Sequence, residues 1–361
     1  MKMAIFGLSI TSSWGNGHAT TYRALVRALA ARGHDVVFFE RDAPWYADNR
    51  DLPEPPYCRT VVYRDLPHLA SVAAADLRSA DLAIVGSYVP EGIAVGDFVQ
   101  RGARGLTAFY DIDTPVTLAR LAAGGTDYVA ARQIPRFDLY LSFTGGPTLE
   151  RIQAVYDAPL ARPLYCSVDP ALYFPEAVDT RWELGYLGTY SADRQPVLER
   201  LMLKPAAARP KARFVVAGPQ YPESIRWPAN VERIVHLAPG EHRRFYNSLR
   251  FTLNVTRADM IKAGHSPSVR LFEAAACGTP IISDTWKGLD RFFSPGAEIL
   301  LARNARETLA YLGEIGDDER AAIGARARRR VLAAHTADHR AIELEAYAAE
   351  AGLRATVRAV S

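Results

Sequence analysis

The sequence predicts an α/β fold built from two Rossmann-like domains. Its 361 residues exceed one ordinary core and suit two domains of about 150–200 residues. Short apolar runs alternate with segments of helical periodicity in both halves, which is typical of parallel sheets covered by helices. A segment with three prolines, 163–175, separates the halves. We therefore predict domains over 1–170 and 171–335, followed by a terminal helical segment over 336–361.

The first half opens with a β–α–β unit. An apolar run at 3–10 predicts a buried strand, a helix follows as far as residue 32, and 36–40 forms the second strand. The glycines between strand and helix lack the tight G-x-G-x-x-G spacing that a dinucleotide pyrophosphate needs, which disfavours a NAD-dependent dehydrogenase. Residues 41–67 are rich in proline and aromatic residues, so we expect a loop that runs over the surface.

Further apolar runs continue the alternation in both halves. Predicted strands of the first half lie at 81–87, 105–115 and 138–146, and those of the second half at 183–190, 213–219, 233–237, 251–256 and 281–282. A helix is expected at 241–249, and the chain after residue 294 reads as mostly helical. Gly352 weakens the prediction of one unbroken helix over 342–359.

Composition excludes several classes of protein. A net charge of +3 gives no reason to expect nucleic acid as a partner, and the densest basic run, 326–330, fits a solvated helix face. Three widely spaced cysteines (Cys58, Cys166 and Cys277) favour neither a disulfide framework nor a zinc site. No run approaches the roughly 18 apolar residues of a membrane span. We expect a cytoplasmic protein, and the alanine- and arginine-rich usage suggests a bacterial source.

One stretch carries most of the chemistry, and it reads SPSVRLFEAAACGTPIISD from residue 266 to 284. Pro267 is suited to open a helix, Cys277-Gly278-Thr279-Pro280 ends it, and a short buried strand follows. Arg270 and Glu273 lie three apart in the first turns, on one face. An arginine at a helix N-terminus suits phosphate, and a glutamate accepts from two ribose hydroxyls, so a nucleotide-sugar site is indicated. The alternative is a surface ion pair between the two side chains.

The segment FEAAACGTPIISD resembles the E-A-x-A-C-G-T-P-V-V motif of GT-B glycosyltransferases, especially the retaining family of sucrose and glycogen synthases. The flanking SPSVRLFE and the segment 163–175 more specifically resemble the CgeB-like (spore-maturation type) family. The resemblance implies domains that face each other across a cleft, a donor site on the second, and a C-terminal helix packing back on the first. It also implies that Glu273 holds the donor ribose. His265 stands where the family usually has a second, sugar-contacting glutamate, which leaves the sugar and the stereochemical outcome open.

Further donor-binding candidates follow the first strand of the second half. Gly188, Thr189 and Tyr190 form a loop whose backbone N–H and hydroxyl groups suit a diphosphate, although a plain strand-to-helix turn has the same pattern. Arg194 lies where the resemblance places a phosphate-binding lysine. Ser268, at the start of the helix that carries Arg270 and Glu273, is a further donor-binding candidate.

The loop after the first strand of the chain supplies further donor-binding candidates and a candidate base. Gly15, Asn16 and Gly17 make room for the donor and offer helix-start N–H groups to a phosphate or sugar oxygen. His18 is a candidate general base, because a neutral imidazole takes a proton from an acceptor hydroxyl near pH 7. The alternative for His18 is capping or packing at a helix start.

Asp111 and Asp113 form an Asp-x-Asp motif at the end of a predicted strand. Metal-dependent transferases of another fold use such a pair to hold Mn²⁺ or Mg²⁺ on a diphosphate. Here the pair lies in the first domain, away from the predicted donor half, so metal binding is disfavoured. The remaining interpretations are an acceptor-side base or hydrogen-bonding role for either aspartate, or helix capping by Asp113.

The predicted function is transfer of a sugar from a nucleotide diphosphate sugar to an acceptor hydroxyl or another nucleophile, with no metal or redox cofactor. Arginines and loop N–H groups would stabilise the leaving diphosphate. The acceptor is not identified by the sequence. Two alternatives stay open: a GT-B sugar-nucleotide epimerase, which consumes donor alone, and a non-catalytic spore or surface factor that only binds nucleotide.

Overall fold

The computed structural model describes residues 1–14 and 17–360, with side chains as far as residue 356. The chain divides into two compact units. One comprises Met1–Cys166 together with Ala337–Ser361, and the other comprises Ser167–Thr336. Each unit has its own hydrophobic core, which includes Phe6 and Phe109 in the first and Phe214 and Phe251 in the second.

The first unit contains a seven-stranded sheet in which neighbouring strands are parallel. Its strands in chain order are β1 (Lys2–Gly7), β2 (Asp35–Arg41), β3 (Arg59–Tyr63), β4 (Leu82–Gly86), β5 (Leu106–Asp111), β6 (Leu139–Ser142) and β7 (Ala161–Pro163). Their order across the sheet is β3-β2-β1-β4-β5-β6-β7. The chain therefore reverses direction across the sheet between β1 and β4.

The second unit contains a six-stranded parallel sheet. Its strands are β8 (Trp182–Leu187), β9 (Phe214–Ala217), β10 (Val231–Ile234), β11 (Leu249–Asn254), β12 (Ile281–Ser283) and β13 (Leu300–Leu301). Their order is β10-β9-β8-β11-β12-β13, so the reversal lies between β8 and β11. Open α/β sheets bind ligands at such reversals, outside the carboxyl ends of the two strands.

Helices connect the strands of both units. They are α1 (His18–Ala31), α2 (Pro44–Ala47), α3 (Leu66–Ser79), α4 (Gly92–Gly102), α5 (Thr114–Ala123), α6 (Pro147–Tyr156), α7 (Gln195–Leu198), α8 (Lys204–Ala208), α9 (Pro239–Asn247), α10 (Ala258–Ala263), α11 (Val269–Ala276), α12 (Ala305–Glu314), α13 (Asp317–Ala334) and α14 (Ala337–Val360). A π-helical turn, Glu199–Leu203, joins α7 to α8, and short 3₁₀ turns lie at Ala131–Arg136 and Leu289–Arg291. Over the part of the chain that is described, no helix is long and apolar enough to cross a bilayer.

The predicted α/β fold with two parallel sheets is confirmed. Three short strands differ from the prediction: β3 lies inside the segment expected to be a surface loop, and β7 and β13 fall where no strand was expected. All three are edge strands, paired on one side only, so their apolar patterns are short or broken. Gly352 does not interrupt α14, which continues to Val360 and packs along α1.

Candidate functional site

The carboxyl ends of β8 and β11 are joined by one side chain, that of Arg270 on α11. Its Nε donates to the carbonyl of Leu187, the last residue of β8, and its Nη1 donates to Oδ1 of Asn254, the last residue of β11, at 3.0 Å. The guanidinium also lies over the ring of Tyr186, 4.9 Å from the ring centre. Arg270 is only 9% exposed. A fixed positive charge therefore stands at the reversal of the second sheet.

The local sequence places α11 as expected, with one difference at its start. Ser268 rather than Pro267 occupies the N-cap, and its hydroxyl donates to Asn254 Oδ1 at 2.9 Å instead of capping the helix. The helix ends at Ala276, and Gly278 beyond it has φ of +75°, a conformation that glycine adopts readily. The strand β12 follows at once. Asn254 thus accepts from both Ser268 and Arg270.

Glu273 lies one turn further along α11 and is 5% exposed. The hydroxyl of Tyr246 donates to its Oε2 at 3.1 Å. The hydroxyl of Tyr173 also bonds to it, and burial together with the charge of Glu273 raises the pKa of Tyr173 well above its ordinary value. Within the described chain, Arg270 and Glu273 do not pair with each other. The surface ion-pair interpretation is therefore wrong, because both side chains are buried with other partners.

The loop after β8 packs closely against Arg270. A Cβ atom at Gly188 would stand 2.8 Å from Arg270 Nη2 and 2.7 Å from the Tyr186 hydroxyl, so only glycine lets the guanidinium approach. Backbone bonds then fix the loop: Tyr190 N donates to the Pro219 carbonyl at 3.0 Å. The Gly188 carbonyl accepts from the hydroxyl of Tyr221 at 3.1 Å. The segment after β9 therefore holds this loop at both Gly188 and Tyr190.

Three arginines gather at this edge of the sheet. Burial, and then the charges of Arg270 and Arg257, lower the pKa of Arg194. Arg194 Nη2 donates to the Thr189 carbonyl at 2.6 Å, whereas its buried Nε has no hydrogen-bond partner among the described residues. Asp284, also buried beside this group, accepts from the backbone N–H and the hydroxyl of Thr256. Like charges brought together and desolvated in this way favour binding of an anion.

His265 has an unusual backbone and an enclosed ring. Its φ is +48°, and its N–H donates to the Lys287 carbonyl at 2.7 Å. A Cβ atom at Gly288 would lie 2.2 Å from His265 Nδ1, so the glycine allows the ring to fit. Burial, followed by the charges of Arg291 and Lys287, lowers the pKa of His265. The lowered pKa favours the neutral imidazole, which can still donate or accept a hydrogen bond.

At the reversal of the first sheet, the loop after β1 is fixed by a buried carboxylate, that of Glu40 at the end of β2. Glu40 accepts from Ile10 N at 2.7 Å, from Thr11 N at 3.0 Å, from the Thr11 hydroxyl at 2.7 Å and from the Ser9 hydroxyl at 3.1 Å. A dinucleotide-binding fold would need an acid at this point for the ribose. Glu40 instead accepts hydrogen bonds from the loop after β1, which agrees with the prediction that a dehydrogenase is disfavoured.

His18 is the first residue of α1 and follows this fixed loop. Burial lowers its pKa to about 4, so the ring is neutral at physiological pH. Its Nδ1 is buried and has no hydrogen-bond partner among the described residues, and its ring meets Tyr88 edge-on with centres 5.4 Å apart. Gly17 is the N-cap and has open space where a side chain would stand. Gly15 and Asn16, also predicted here, lie outside the described residues.

Tyr88 contacts both Asp113 and His18 and so connects the two residues. The Tyr88 hydroxyl donates to Asp113 Oδ2 at 2.9 Å, and Tyr88 has φ of +63°, which is rare for an aromatic residue. Asp113 occupies the N-cap of α5, but its side chain makes no capping bond. The capping prediction is therefore wrong, because Tyr88 takes the carboxylate. His18, Tyr88 and Asp113 form one group beside the end of β4.

Asp111 lies at the end of β5 and is fully buried. Tyr140 donates its hydroxyl to one carboxylate oxygen at 2.6 Å, and Thr117 donates to the other at 2.8 Å. Burial raises the pKa of Asp111 to about 6. Because no part of Asp111 is exposed, its carboxylate is not accessible to an acceptor molecule. Among residues 1–14 and 17–360, no three His, Cys, Asp or Glu side chains are grouped so that they could hold a metal ion.

A comparison with known protein families finds a match mainly in the second unit. Residues 194–346, fewer than half of the 361, match the family described as glycosyl transferase-like. This segment covers most of the second unit and the start of α14, and it is similar to that family. The match confirms the predicted enzyme class, glycosyltransferase. No curated protein sequence matches the chain.

Solved structures extend the similarity of fold to the whole chain. Sucrose-phosphate synthase from Thermosynechococcus elongatus has a TM-score of 0.70 at 16% identity, with 100% of each chain covered. Anabaena HepE in complex with UDP-glucose has a TM-score of 0.70 at 13% identity, covering 97% of this chain and 100% of that one. An Escherichia coli structure, trehalose-6-phosphate bound with UDP-2-fluoro glucose, has a TM-score of 0.64 at 10% identity, covering 96% and 99%. The GT-B fold is thereby confirmed.

Several residues of the two groups were not predicted from the sequence. Asn254, Tyr246 and Arg257 contribute to the arginine side, and Tyr88 to the histidine side. A signal existed for Asn254, since it is a polar residue at the end of an otherwise apolar buried strand. Tyr246 gave no comparable signal, because aromatic residues at helical spacing usually indicate core.

Proposed function

We propose that this protein transfers a sugar from a UDP-sugar to an acceptor hydroxyl, with the donor bound on the second unit. The observation that carries the proposal is the position of Arg270. Its buried guanidinium joins the two strand ends at the sheet reversal, where α/β folds bind their ligands. A cation fixed there before ligand arrives stabilises the charge that develops on a departing diphosphate.

In the proposed donor complex, the diphosphate lies against Arg270, Arg194 and the loop that begins at Gly188. Guanidinium groups form paired, charge-assisted bonds to phosphate oxygens. The free Nε of Arg194 and the backbone N–H of Thr189 supply additional contacts, whereas the N–H of Tyr190 already holds the loop. These cations provide the neutralisation that a divalent metal supplies in other transferases, so we propose a reaction that needs no metal.

Glu273 is proposed to hold the donor ribose. Its carboxylate is buried and oriented by Tyr246 and Tyr173, which limits it to one position. A carboxylate so fixed accepts from two adjacent hydroxyls without further loss of side-chain entropy. Ser268 orients Asn254, and neutral His265 is proposed as a hydrogen-bond partner of the donor sugar. Uridine is favoured as the base because HepE was solved with UDP-glucose.

On the acceptor side, His18 is proposed as the general base. Its depressed pKa of about 4 keeps the imidazole unprotonated, and its buried Nδ1 is not engaged by a described residue. In the reaction the bond from the anomeric carbon to the diphosphate breaks, and a bond from that carbon to the acceptor oxygen forms. The acceptor proton passes to His18. Tyr88, held by Asp113, positions the ring, and Asp111 has a structural role. The finer relationship to the CgeB-like family stays a prediction.

A thermal-shift screen tests the proposal. The protein is heated with UDP, GDP and dTDP and with their common sugars, each in EDTA and in Mg²⁺. We expect UDP to raise the melting temperature equally in both conditions, because a ligand that binds only the folded state stabilises it. Absence of a shift with every nucleotide would contradict the proposal. Donor consumption that needs no acceptor and is not accelerated by one would instead identify an epimerase.

A further inference from the structure

Two tryptophan side chains of the first unit are exposed to solvent, Trp14 in the loop after β1 and Trp45 in the short helix α2. Trp14 is 49% exposed and Trp45 is 58% exposed. Tryptophan is buried for most of its surface in most proteins, so exposure of half the side chain leaves a large apolar face in water. The other large hydrophobic side chains exposed in the described chain are aliphatic.

Hydrogen bonds connect the two tryptophans into one structure. The backbone N–H of Trp14 donates to the Ser12 hydroxyl at 3.3 Å, and that hydroxyl donates to the Asn49 carbonyl at 2.7 Å. The side-chain amide of Asn49 then donates to the Trp45 carbonyl at 3.0 Å. Asp51 adds a second link, since it accepts from both the backbone and the hydroxyl of Ser13. The backbone at both tryptophans is therefore held in place before any ligand binds.

The location of the pair suits a substrate. Trp14 follows β1, which borders the reversal of the first sheet, and Trp45 follows β2, the next strand. Carboxyl ends of parallel strands meet at one edge of the sheet, and that edge carries ligand sites in α/β folds. His18, the proposed base, begins the helix directly after the Trp14 loop.

The surroundings of the tryptophans indicate the chemistry of the ligand. Residues 41–52 carry two arginines against three aspartates, and residues 8–17 carry no charged side chain. Arg50 is already paired with Asp42 at 2.7 Å. This balance does not favour an anionic membrane, which attracts clusters of basic residues. Flat aromatic faces beside amide, carboxylate and guanidinium groups suit a sugar ring, whose C–H face packs on the indole while its hydroxyls bond to the polar groups.

We propose that Trp14 and Trp45 form a platform on which a saccharide ring of the acceptor stacks, so that the acceptor is a glycan. This inference rests on the proposed function, because it identifies the molecule that receives the sugar. The connection through Asn49 is part of the inference: it fixes the backbone that carries both indoles, which reduces the entropy lost when a flexible sugar binds.

The test begins with the full-length protein on a printed array of neutral and acidic oligosaccharides, followed by a tryptophan-fluorescence titration with the best-bound oligosaccharide. We expect Trp14→Ala and Trp45→Ala each to weaken binding by about ten-fold, the effect of losing one well-packed aromatic contact. Trp45→Phe keeps a ring face and should bind within about three-fold of the unmodified protein. Val155→Ala, which trims another exposed side chain of the same unit, is the matched control and should change nothing.

The UDP thermal shift is measured on every variant, and it separates this inference from the proposed function. An unmodified protein that responds to UDP but binds no oligosaccharide would overturn the platform alone. Equal oligosaccharide affinity in both alanine variants would also overturn it, as would tryptophan-dependent binding to phosphatidylglycerol vesicles in place of glycans. Loss of the UDP response in the unmodified protein would instead remove the proposed function on which the platform rests.

Discussion

Replacing Arg270 by alanine is the perturbation that the account predicts most sharply. The side chain makes two hydrogen bonds, to the Leu187 carbonyl and to Asn254 Oδ1, and its cation lies over Tyr186. Asn254 keeps a second partner in Ser268, whereas the Leu187 carbonyl loses the Arg270 bond. The expected cost in the free energy of unfolding is therefore that of about one buried unsatisfied group, roughly 1–3 kcal/mol.

The loss in nucleotide affinity should be of similar size. A hydrogen bond to a charged group contributes about 1.5–3 kcal/mol, which corresponds to roughly 10- to 150-fold in Kd. Arg270→Lys retains the charge without the planar fork, so its affinity should fall between those of the alanine variant and the unmodified protein. The assay is isothermal titration calorimetry with UDP in EDTA at 25 °C, on samples shown by urea unfolding to be folded.

Arg181→Ala provides the matched control. Arg181 is an exposed arginine of the same unit, stacked over Trp182 at 4.3 Å directly before β8, and so at the opposite end of that strand. Its removal lowers the positive charge equally but should leave UDP affinity unchanged. If Arg270→Ala bound UDP within two-fold of the unmodified protein, the reasoning that places the diphosphate at the sheet reversal would be refuted.

Three other variants or conditions test separate parts of the account. Glu273→Ala should weaken UDP binding by about 1–3 kcal/mol in calorimetry because ribose hydroxyls lose their acceptor, whereas equal weakening of free diphosphate would contradict a ribose contact. If neutral His18 is the base, turnover should decline on the acid side only as pH approaches about 4, and a decline centred near pH 6.5 would contradict the assignment. His18→Ala should lower turnover and leave UDP affinity unchanged. Glu345→Ala removes the ion pairs with Arg32 and His34, which connect α14 to the C-terminal end of α1. Urea unfolding should therefore show a decrease of roughly 1 kcal/mol in the free energy of unfolding, and this decrease should be smaller at high salt. A salt-independent decrease would exclude an electrostatic cause.

The pH dependence of stability follows from two buried groups with opposite signs. The pKa of His18 is lowered to about 4 in the folded protein, so its contribution to stability is present above pH 6.5 and is lost as pH falls towards 4. The pKa of Asp111 is raised to about 6, so its contribution is present below pH 3.8 and is lost as pH rises through 6.

Much of the second sheet could be predicted because local signals there agree with the fold. The run from Ser268 to Asp284 contains a helix face, a glycine with positive φ and a short strand that begins with two isoleucines, and each feature can be recognised from a few positions. The same agreement explains why α1 and the strands around it were found. Edge strand β3 was missed because residues 59–63 are mostly half-buried and follow a proline-rich segment, which masks the alternation of a strand.

The contacts within the site could not be predicted in the same way, since they join residues distant in the chain. Asp113 illustrates the difficulty: its sequence context fits a helix cap, but Tyr88, 25 residues earlier, takes the carboxylate. Similarly, the spacing of Arg270 and Glu273 suits an ion pair, but Arg270 binds Asn254 and Glu273 binds Tyr246 instead. Spacing along a helix describes which side chains are near each other, while burial decides which partners they bind.

We propose that the protein cleaves the bond between the sugar and the diphosphate of a UDP-sugar without a metal. This proposal is tested most directly by measuring UDP release from a panel of UDP-sugars in EDTA, with and without the oligosaccharide selected on the array. The account predicts release from at least one UDP-sugar that is unaffected by EDTA, increases with the oligosaccharide, and is lost in Arg270→Ala. Release that requires added Mg²⁺, or persists in that variant, would contradict it.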